Sequence, residues 1–591
     1  MNPETATAAA AITWISGPVL RARTRGAFHI HEAALVGRQR LLGEVIRVAG
    51  DEVVVQVYED TTGLRPGDTL TATGSPLSVR LGPGLLGNIF DGLLRPLAGQ
   101  GTYVQPGAGE SKTGQCFDFR PAVAAGALLA EGAVFGSVSR SDARPQRCLV
   151  PPAVQGEVIR IAEPGSYPER FPACVLRDDR GVTHELAMSH RWPIRRPRPV
   201  TARTAVEGPL FTGQRVLDSI FPLACGGRAA MPGGFGTGKT VLQETLAKWC
   251  DADIIIYVGC GERGNEMAGV LHEFPSLEDP RTGRPLMERT VIIANTSNMP
   301  VSAREASIYT AVTVGEYFRD QGMRVALMAD STSRWAEALR EVSGRLGELP
   351  GEAGYPAYLS SRLADFYERA AHVRTLGGET GSLSIIGAVS PPSADFSEPV
   401  TTHTRRYVRC FWALDAGRAQ ARFYPAVHPL QSYSQDIEPL SHFWSQHGNP
   451  DWLEQRRRFL KLLEEQAHLE RMARIVGKDA LPPRQQHVLL CAELINGAFL
   501  HQSAFSAADR FCVPAKQVAM MKLLSHFIDQ SGKVVALGVD VAAINALPVV
   551  RRLRRMGEEV ADDQLEEFEA LRQELEAECT RLTSQVARDA G

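Results

Sequence analysis

The sequence predicts a multidomain protein with an N-terminal β-barrel, a β-rich inserted domain, an α/β domain with a mainly parallel sheet and an α-helical C-terminal domain. Three observations lead to this fold class. A chain of 591 residues is too long for one hydrophobic core. Short strand-like runs fill its first third, and strands that alternate with helical segments follow. Beyond about residue 431, apolar residues recur at helical spacing. We expect domains at 10–80, 110–198, 205–430 and 431–591.

The barrel is predicted from short alternating runs rich in β-branched residues, such as 53–58, between turn signals at 49–51 and 65–68. Residues 110–198 are again strand-like and rich in glycine and proline. They end in the basic, proline-punctuated run 191–199. Such a run is either a phosphate-binding patch or, more often, a solvated linker.

The α/β domain is predicted from four continuous apolar runs that helical segments separate. Strands without alternation indicate a parallel sheet covered on both faces. The runs lie at 253–258, 291–295, 325–330 and 382–386. The helical C-terminal domain ends in 562–586, where apolar residues recur three or four apart among charges. This last helix either docks on a partner or packs on its own domain.

Composition gives no support to several classes of protein. The formal net charge of −3 gives no electrostatic case for nucleic acid as the main partner. The ten cysteines form no C-x-x-C pair, so we expect neither a zinc site nor a disulfide framework, and a cytoplasmic location. Neither a signal peptide nor a membrane-spanning run is apparent, so we expect membrane association only through partners.

The strongest motif is G-x-x-x-x-G-K-T, the phosphate-binding P-loop, between a short apolar run and a helical segment. Its backbone N–H groups wrap phosphates, Lys239 supplies a charge to the β- and γ-phosphates, and Thr240 offers a hydroxyl to Mg²⁺. The motif predicts binding of ATP or ADP with Mg²⁺. It consists of Gly233, Gly234, Phe235, Gly236, Thr237, Gly238, Lys239 and Thr240.

A P-loop needs a companion carboxylate, and the apolar run 325–330 ends in Asp330. Open α/β sheets bind ligands at the carboxyl ends of their strands. We therefore expect Asp330 to organise Mg²⁺ and not to cap a helix.

Residues 259–266 satisfy G-x-G-x-x-G, the dinucleotide fingerprint, but the P-loop already accounts for phosphate binding. The glycine-flanked pair Glu262 and Arg263 follows a strand instead. We expect Glu262 to polarise the attacking water and Arg263 to orient it or stabilise charge. The plainer alternative is a surface ion pair.

Four motifs together resemble the catalytic A subunits of archaeal and bacterial A/V-type rotary ATPases. They are PGGFGTGKT at 232–240, GCGERGNEM at 259–267, ANTSNMP at 294–300 and ADSTSRWAEA at 329–338. Shorter matches extend the resemblance from residue 15 to residue 505. Rotary β subunits, flagellar-type ATPases and the Rho helicase lack the block at 110–198. The non-catalytic B subunit lacks an intact P-loop lysine and Glu-Arg pair.

The resemblance implies a barrel, a bulge domain, a RecA-like nucleotide-binding domain and a helical domain. It implies that Tyr424 and Phe505 sandwich the adenine, although both could be core aromatics. It places Arg334 near the phosphates, where the alternative is a salt bridge at a helix start. Eukaryotic relatives carry a P-loop cysteine where this chain has Thr237, so disulfide control there is not expected.

The implied enzyme hydrolyses or synthesises MgATP coupled to H⁺ or Na⁺ transport. Three A and three B subunits would alternate in a ring, with an arginine from B completing each site. Central-stalk and peripheral-stalk subunits would connect this ring to a membrane sector, on its cytoplasmic face. Two alternatives stay open: another hexameric P-loop motor, such as a secretion ATPase or helicase, and a non-catalytic structural ring subunit.

Overall fold

The computed structural model describes residues 8–97, 115–139, 145–478 and 480–589. Tertiary contacts divide the chain into two compact units. The first comprises Met1–Ala205, Cys225–Arg228 and Ala252–Tyr407, and the second Val206–Ala224, Ala229–Asp251 and Val408–Gly591. The four domain boundaries expected above remain predictions.

The N-terminal strands close into an antiparallel barrel in the order β1-β2-β5-β4-β3-β6. Alternate side chains such as Val53, Val55 and Val57 fill its interior, as the period of two requires. Closure removes exposed strand edges. The strands are β1 (Ala9–Ser16), β2 (Val19–Thr24), β3 (Glu32–Val36), β4 (Leu41–Ala49), β5 (Glu52–Val57) and β6 (Thr69–Pro76).

Beyond the barrel, β7 (Ser78–Leu81) and β8 (Ile89–Phe90) precede the β-rich insertion. The insertion has two antiparallel four-stranded sheets, β10-β13-β15-β16 and β12-β11-β9-β14. Its core includes Phe119 and Phe135. Residues 110–114 of the predicted domain lie outside the described residues. The strands are β9 (Cys116–Pro121), β10 (Leu128–Leu129), β11 (Val134–Ser139), β12 (Gln146–Leu149), β13 (Gly156–Ile161), β14 (Gly165–Pro168), β15 (Pro172–Arg177) and β16 (Thr183–Ala187).

The interpretation of the basic run 191–199 as a solvated linker is wrong for its central residues. Part of it forms β17 (His190–Pro193), which pairs with β7. Arg198 is 2% exposed and Arg195 is 14% exposed, and both pair with carboxylates. Charge alone could not reveal these partners, because they are distant in sequence. The short strand β18 (Ala202–Arg203) follows.

The central α/β part alternates strands and helices as predicted. Its elements are β19 (Arg228–Pro232), α1 (Lys239–Trp249), β20 (Ile254–Glu262), α2 (Gly264–Glu273), β21 (Thr290–Thr296), α3 (Val301–Arg319), β22 (Arg324–Asp330), α4 (Thr332–Leu346), α5 (Leu359–Tyr367), β23 (Ala371–Arg374), β24 (Thr380–Val389), α6 (Pro399–Tyr407), β25 (Cys410–Phe411), α7 (Ala416–Gln420) and β26 (Tyr433–Ser434).

In the first unit, β24, β22, β20, β21 and β8 run parallel in that order, and β23 is antiparallel to β24. Helix α3 is buried along almost its whole length and packs on β20, β21 and β22. In the second unit, β25 pairs in parallel with β19 and antiparallel with β26. Parallel strands place their carboxyl ends at one edge, where functional groups collect.

The C-terminal part is helical. In α14, Phe568, Leu571 and Leu575 are buried, and the helix packs on α11 and α13, so it packs within its own domain. Among the described residues, no helix is long and apolar enough to cross a membrane. The helices are α8 (Ile437–Gln446), α9 (Trp452–Val476), α10 (Pro483–Leu494), α11 (Pro514–Ala536), α12 (Val541–Asn545), α13 (Pro548–Glu559) and α14 (Glu566–Asp589).

Candidate active site

The candidate site residues form two groups, and each unit carries one group. The first unit carries the strand-end cluster, which we define as Glu262, Glu266, Arg304, Asp330 and Arg334. The second unit carries the P-loop at 233–240 and the predicted adenine-binding residues Tyr424 and Phe505.

The strand-end cluster follows from strand register. Glu262 ends β20 and Asp330 ends β22, and these neighbouring strands are parallel, with Gly259 opposite Asp330. Asp330 is 3% exposed, and its Oδ2 accepts a 3.3 Å hydrogen bond from the Tyr257 hydroxyl. The two carboxylates predicted from separate motifs therefore lie at the same edge of the sheet.

Glu262 has an unusual electrostatic environment. Burial, followed by the negative charges of Asp330 and Glu266, raises the pKa of Glu262 to about 8, and Arg334 opposes this increase. A carboxyl group with a pKa near the working pH is suited to exchange protons during a reaction. The surface ion-pair interpretation of Glu262 and Arg263 does not describe this side chain, because its neighbours are mostly carboxylates. Arg263 itself is exposed and precedes α2.

Arg334 lies in the first turn of α4 and does make the helix-start salt bridge. Its Nη1 lies 3.1 and 3.0 Å from the two carboxylate oxygens of Glu337. It also lies close enough to Glu262 to lower that group's pKa. The salt-bridge alternative is thus present in the structure, and the place of Arg334 near the phosphates stays a prediction.

Two members of the cluster were not predicted as site residues. Glu266 lies in the first turn of α2, four residues after Glu262, and hydrogen-bonds to it. Arg304 lies on α3, and a Cβ placed on Gly261 would lie 2.7 Å from its Nε. Gly261 has a φ of +73°, so a side chain there would be both strained and obstructed. The spacing of Glu266 was visible in the motif, whereas the approach of Arg304 requires the tertiary fold.

The P-loop connects β19 to α1 and has the backbone that its glycines permit. Gly236 and Gly238 have φ of +76° and +82°, the left-handed region that favours glycine. The Lys239 Nζ donates to the carbonyl oxygens of Gly233 and Gly234 at 2.7 and 2.9 Å. The Thr237 hydroxyl donates to the Gly234 oxygen at 2.8 Å. The loop thus holds its lysine where phosphate oxygens would replace backbone carbonyls as acceptors.

Phe235 and Thr240 complete the P-loop. The Phe235 ring is 88% exposed, and Thr240 lies in the first turn of α1.

The predicted adenine-binding residues belong to adjacent segments of the second unit. The Tyr424 hydroxyl donates to Thr245 of α1 at 2.9 Å, and burial raises the pKa of this phenol to about 12. Phe505 is 100% exposed, so it is not a core aromatic. The backbone N–H of Gln502 donates to the Tyr424 carbonyl at 2.8 Å. This hydrogen bond joins the loop that carries Phe505 to the Tyr424 segment.

The buried residue Arg215 holds the loop that carries Phe505. The Arg215 guanidinium pairs with Asp509 and donates to the carbonyl oxygens of Phe499 and His501. Its backbone N–H donates to the Gln502 side chain at 2.9 Å. Both ends of the Phe505 loop are therefore anchored, while the ring itself is exposed.

Comparison with known proteins agrees with this architecture. Residues 12–74 match the ATP synthase alpha/beta family β-barrel domain, and residues 112–195 match the alpha/beta subunit barrel-sandwich domain. Residues 213–434 match the ATP synthase alpha/beta family nucleotide-binding domain. Residues 441–543 match the C-terminal domain of V and A type ATP synthases.

Fold, site and matches define a nucleotide-binding P-loop protein of the ATP synthase alpha/beta class. The V-type ATP synthase alpha chain of Halothermothrix orenii is 48% identical over 97% of this chain and 98% of its own. The A-type ATP synthase A subunit of Methanopyrus kandleri is 48% identical over 98% and 99%, and that of Thermococcus onnurineus is 50% identical over 92% and 94%. The chain belongs to the family of A-type and V-type ATP synthase A subunits, the catalytic subunits of rotary ATPases.

A solved structure shares the fold at lower sequence similarity. The assembled ATPase EscN of the enteropathogenic E. coli type III secretion system superimposes with a TM-score of 0.61 at 22% identity, covering 87% of this chain and 99% of EscN. At that identity the likeness concerns the fold alone. The secretion-type alternative is not favoured, because the chain is 48 to 50% identical to the V-type alpha chain and A-type A subunit named above.

Proposed function

We propose that this chain hydrolyses or synthesises MgATP with Glu262 as the carboxylate that polarises the attacking water. The observation that carries the proposal is the position of Glu262, which ends β20 at the same sheet edge where Asp330 ends the neighbouring parallel strand β22. Burial, Asp330 and Glu266 raise its pKa to about 8. A base accepts a proton efficiently when its pKa lies near the operating pH. In the reverse direction the same group returns the proton as water leaves.

The P-loop binds the phosphates. Lys239 exchanges its contacts with the Gly233 and Gly234 carbonyls for contacts with the β- and γ-phosphates, and the backbone N–H groups of 233–240 surround them. The Lys239 ammonium and the backbone N–H dipoles offset the phosphate charge and form no covalent bond in the reaction.

The available oxygen ligands fit Mg²⁺. Thr240 offers a hydroxyl and Asp330 a buried carboxylate, the hard ligands that this ion prefers. Among the described residues, no group of three or more His, Cys, Asp or Glu could hold a metal ion. This agrees with an ion that keeps several waters and binds largely through substrate phosphates. When bound, Mg²⁺ would neutralise phosphate charge.

The remaining site residues orient the water and the adenine and stabilise charge on the phosphates. Arg334, beside Glu262 and paired with Glu337, supplies positive charge to the phosphates, and Arg263 orients the water or stabilises developing charge. Tyr424 and Phe505 contribute aromatic faces to the adenine, which gives stacking without selecting a base edge.

The chain acts in a multi-subunit complex, as family membership establishes, and we propose the particular partners. Three copies alternate with three B subunits, and an arginine of B completes each site in trans. Central and peripheral stalks couple this ring to a membrane sector that carries H⁺ or Na⁺, on the cytoplasmic face. Nucleic acid is not a partner in this proposal, which agrees with the net charge of −3.

Steady-state ATPase assays test the proposal on the chain alone, on the chain with its B partner, and on that mixture with Glu262→Gln. We expect turnover only with B, at least 100-fold lower in the variant, and unchanged nucleotide binding. Glu341→Gln, which alters an exposed carboxylate of α4, is the matched control. Full activity of the chain alone would exclude the shared site, and near-normal turnover of the Glu262 variant would exclude its role.

A further inference from the structure

Two arginines of the basic run 191–199 hold opposite ends of helix α3. Arg195 pairs with Glu305 in the first turns of α3, and Arg198 pairs with Asp320 just past its end. Glu305 and Asp320 are 15 residues apart, about 22 Å along the helix, although the arginines are three residues apart in sequence. The two side chains therefore fix α3 at two separate points.

Arg195 also connects α3 to the barrel. Its Nε lies 2.7 Å from Oε1 of Glu44, and its Nη2 lies 2.9 Å from Oε2 of Glu44 and 3.0 Å from Oε1 of Glu305. Gln56 Nε2 donates to the other Glu305 oxygen at 2.7 Å. Glu44 and Gln56 belong to β4 and β5. The planar fork of arginine can bind two carboxylates at once, which lysine cannot do in the same way.

The anchored turn of α3 carries Arg304, the neighbour of Glu305 in sequence. The Arg304 Nη2 donates to the Ser297 carbonyl at 3.3 Å, and the Arg304 carbonyl accepts from Cys260 Sγ at 3.5 Å. The guanidinium packs on Gly261, which directly precedes Glu262. A displacement of this turn would therefore move a positive charge away from the strand-end cluster.

We propose that Arg195 is a positioning residue that holds the first turns of α3, and with them Arg304, against Gly261, the residue that precedes Glu262. The barrel thereby helps to set the geometry of the strand-end cluster, although no barrel residue belongs to it. This inference rests on the proposed catalytic role of Glu262.

The test compares Arg195→Met, Arg304→Ala and the double variant in the chain assembled with its B partner. We expect kcat to fall about 10-fold in Arg195→Met, since small displacements of catalytic groups are costly. KM for ATP should change less than about 2-fold, because the P-loop is unaltered. If Arg195 acts through Arg304, the double variant is no slower than Arg304→Ala alone.

The conservative variant Arg195→Lys gives a second readout. Lysine keeps the positive charge between Glu44 and Glu305 but lacks the planar fork, so kcat should fall less than in Arg195→Met.

Arg198→Met is the matched control, because it removes a buried arginine of the same run from the opposite end of α3. It should lower thermal stability without the fall in kcat expected for Arg195→Met. Gln56→Ala, which removes only a neutral hydrogen bond to Glu305, gives a milder disturbance if Arg195→Met fails to fold. It should lower kcat by less than Arg195→Met does, again with little change in KM for ATP.

Multiplicative effects of Arg195→Met and Arg304→Ala on kcat, or equal falls in kcat in Arg195→Met and Arg198→Met, would overturn the inference. Neither result bears on Glu262 itself. The proposed function fails by a different result, namely normal turnover of Glu262→Gln.

Discussion

The crowded carboxyl of Glu262 should destabilise the folded protein as pH rises, and Glu262→Gln should remove this effect. Burial, Asp330 and Glu266 raise its pKa from 4.5 to about 8. Below pH 4.5 the group is protonated in both folded and unfolded chains, so it has no influence on the pH dependence. Between the two values only the folded chain keeps the proton, and stability falls as pH increases. Above about pH 8 no further loss occurs.

The magnitude follows from the interval between the two pKa values. Each pH unit within it is worth about 1.4 kcal/mol, which gives a ceiling of about 3 kcal/mol at pH 7. The side chain is partly exposed and its carboxylate neighbours can relax, so we expect about 1 kcal/mol. Glu262→Gln should be more stable than the parent by that amount at pH 7 and by little at pH 5.

Differential scanning calorimetry of both proteins between pH 5 and 8.5 measures the difference. The relevant quantity is the transition of the domain that carries Glu262, because a multidomain chain has no single unfolding free energy. Glu341→Gln, which alters an exposed carboxylate paired with Arg345 on α4, serves as the control. A stability difference between the parent and Glu262→Gln that is the same at pH 5 and pH 8 would refute the reasoning.

Three further outcomes are expected. Lys239→Met should weaken ATP binding about 10- to 100-fold by equilibrium dialysis, since a charged hydrogen-bond donor is lost, and unaltered binding would contradict the P-loop role. Arg215→Met should destabilise the second unit by about 3–5 kcal/mol in calorimetry, because Asp509 stays buried without its partner. Arg457→Met, which replaces an exposed arginine, should not destabilise this unit, and an equal loss of stability in the two variants would contradict the prediction. Phe505→Ala should raise the Kd for ATP about 3- to 10-fold without altering thermal stability, whereas Phe505→Tyr should preserve binding; a stability loss would show that the ring packs.

Local patterns were sufficient for several parts of the architecture. The alternation in 53–58 predicted a barrel strand, and Val53, Val55 and Val57 are indeed buried inside the closed barrel. The glycine spacing of the P-loop predicted its backbone, which has the positive φ that glycine allows at Gly236 and Gly238. These features depend on neighbours in sequence, so sequence reveals them.

Other features were missed or wrongly interpreted because they depend on distant partners. Charge density made 191–199 look solvated, but Arg195 and Arg198 are buried against carboxylates that lie more than a hundred residues away. Arg304 was not predicted as a site residue, since only the packing of α3 on β20 brings it to Gly261.

The sequence by itself determined the chemistry that is available to this protein: a phosphate-binding loop, the carboxylates Glu262 and Asp330, and the motifs that indicate its family. The tertiary structure decided the charge environment of those groups. Parallel register brings the ends of β20 and β22 to one edge, partial burial disfavours the charged form of Glu262, and Glu266 and Asp330 add negative charge there. A pKa depends on burial and on nearby charges, and both are properties of the fold.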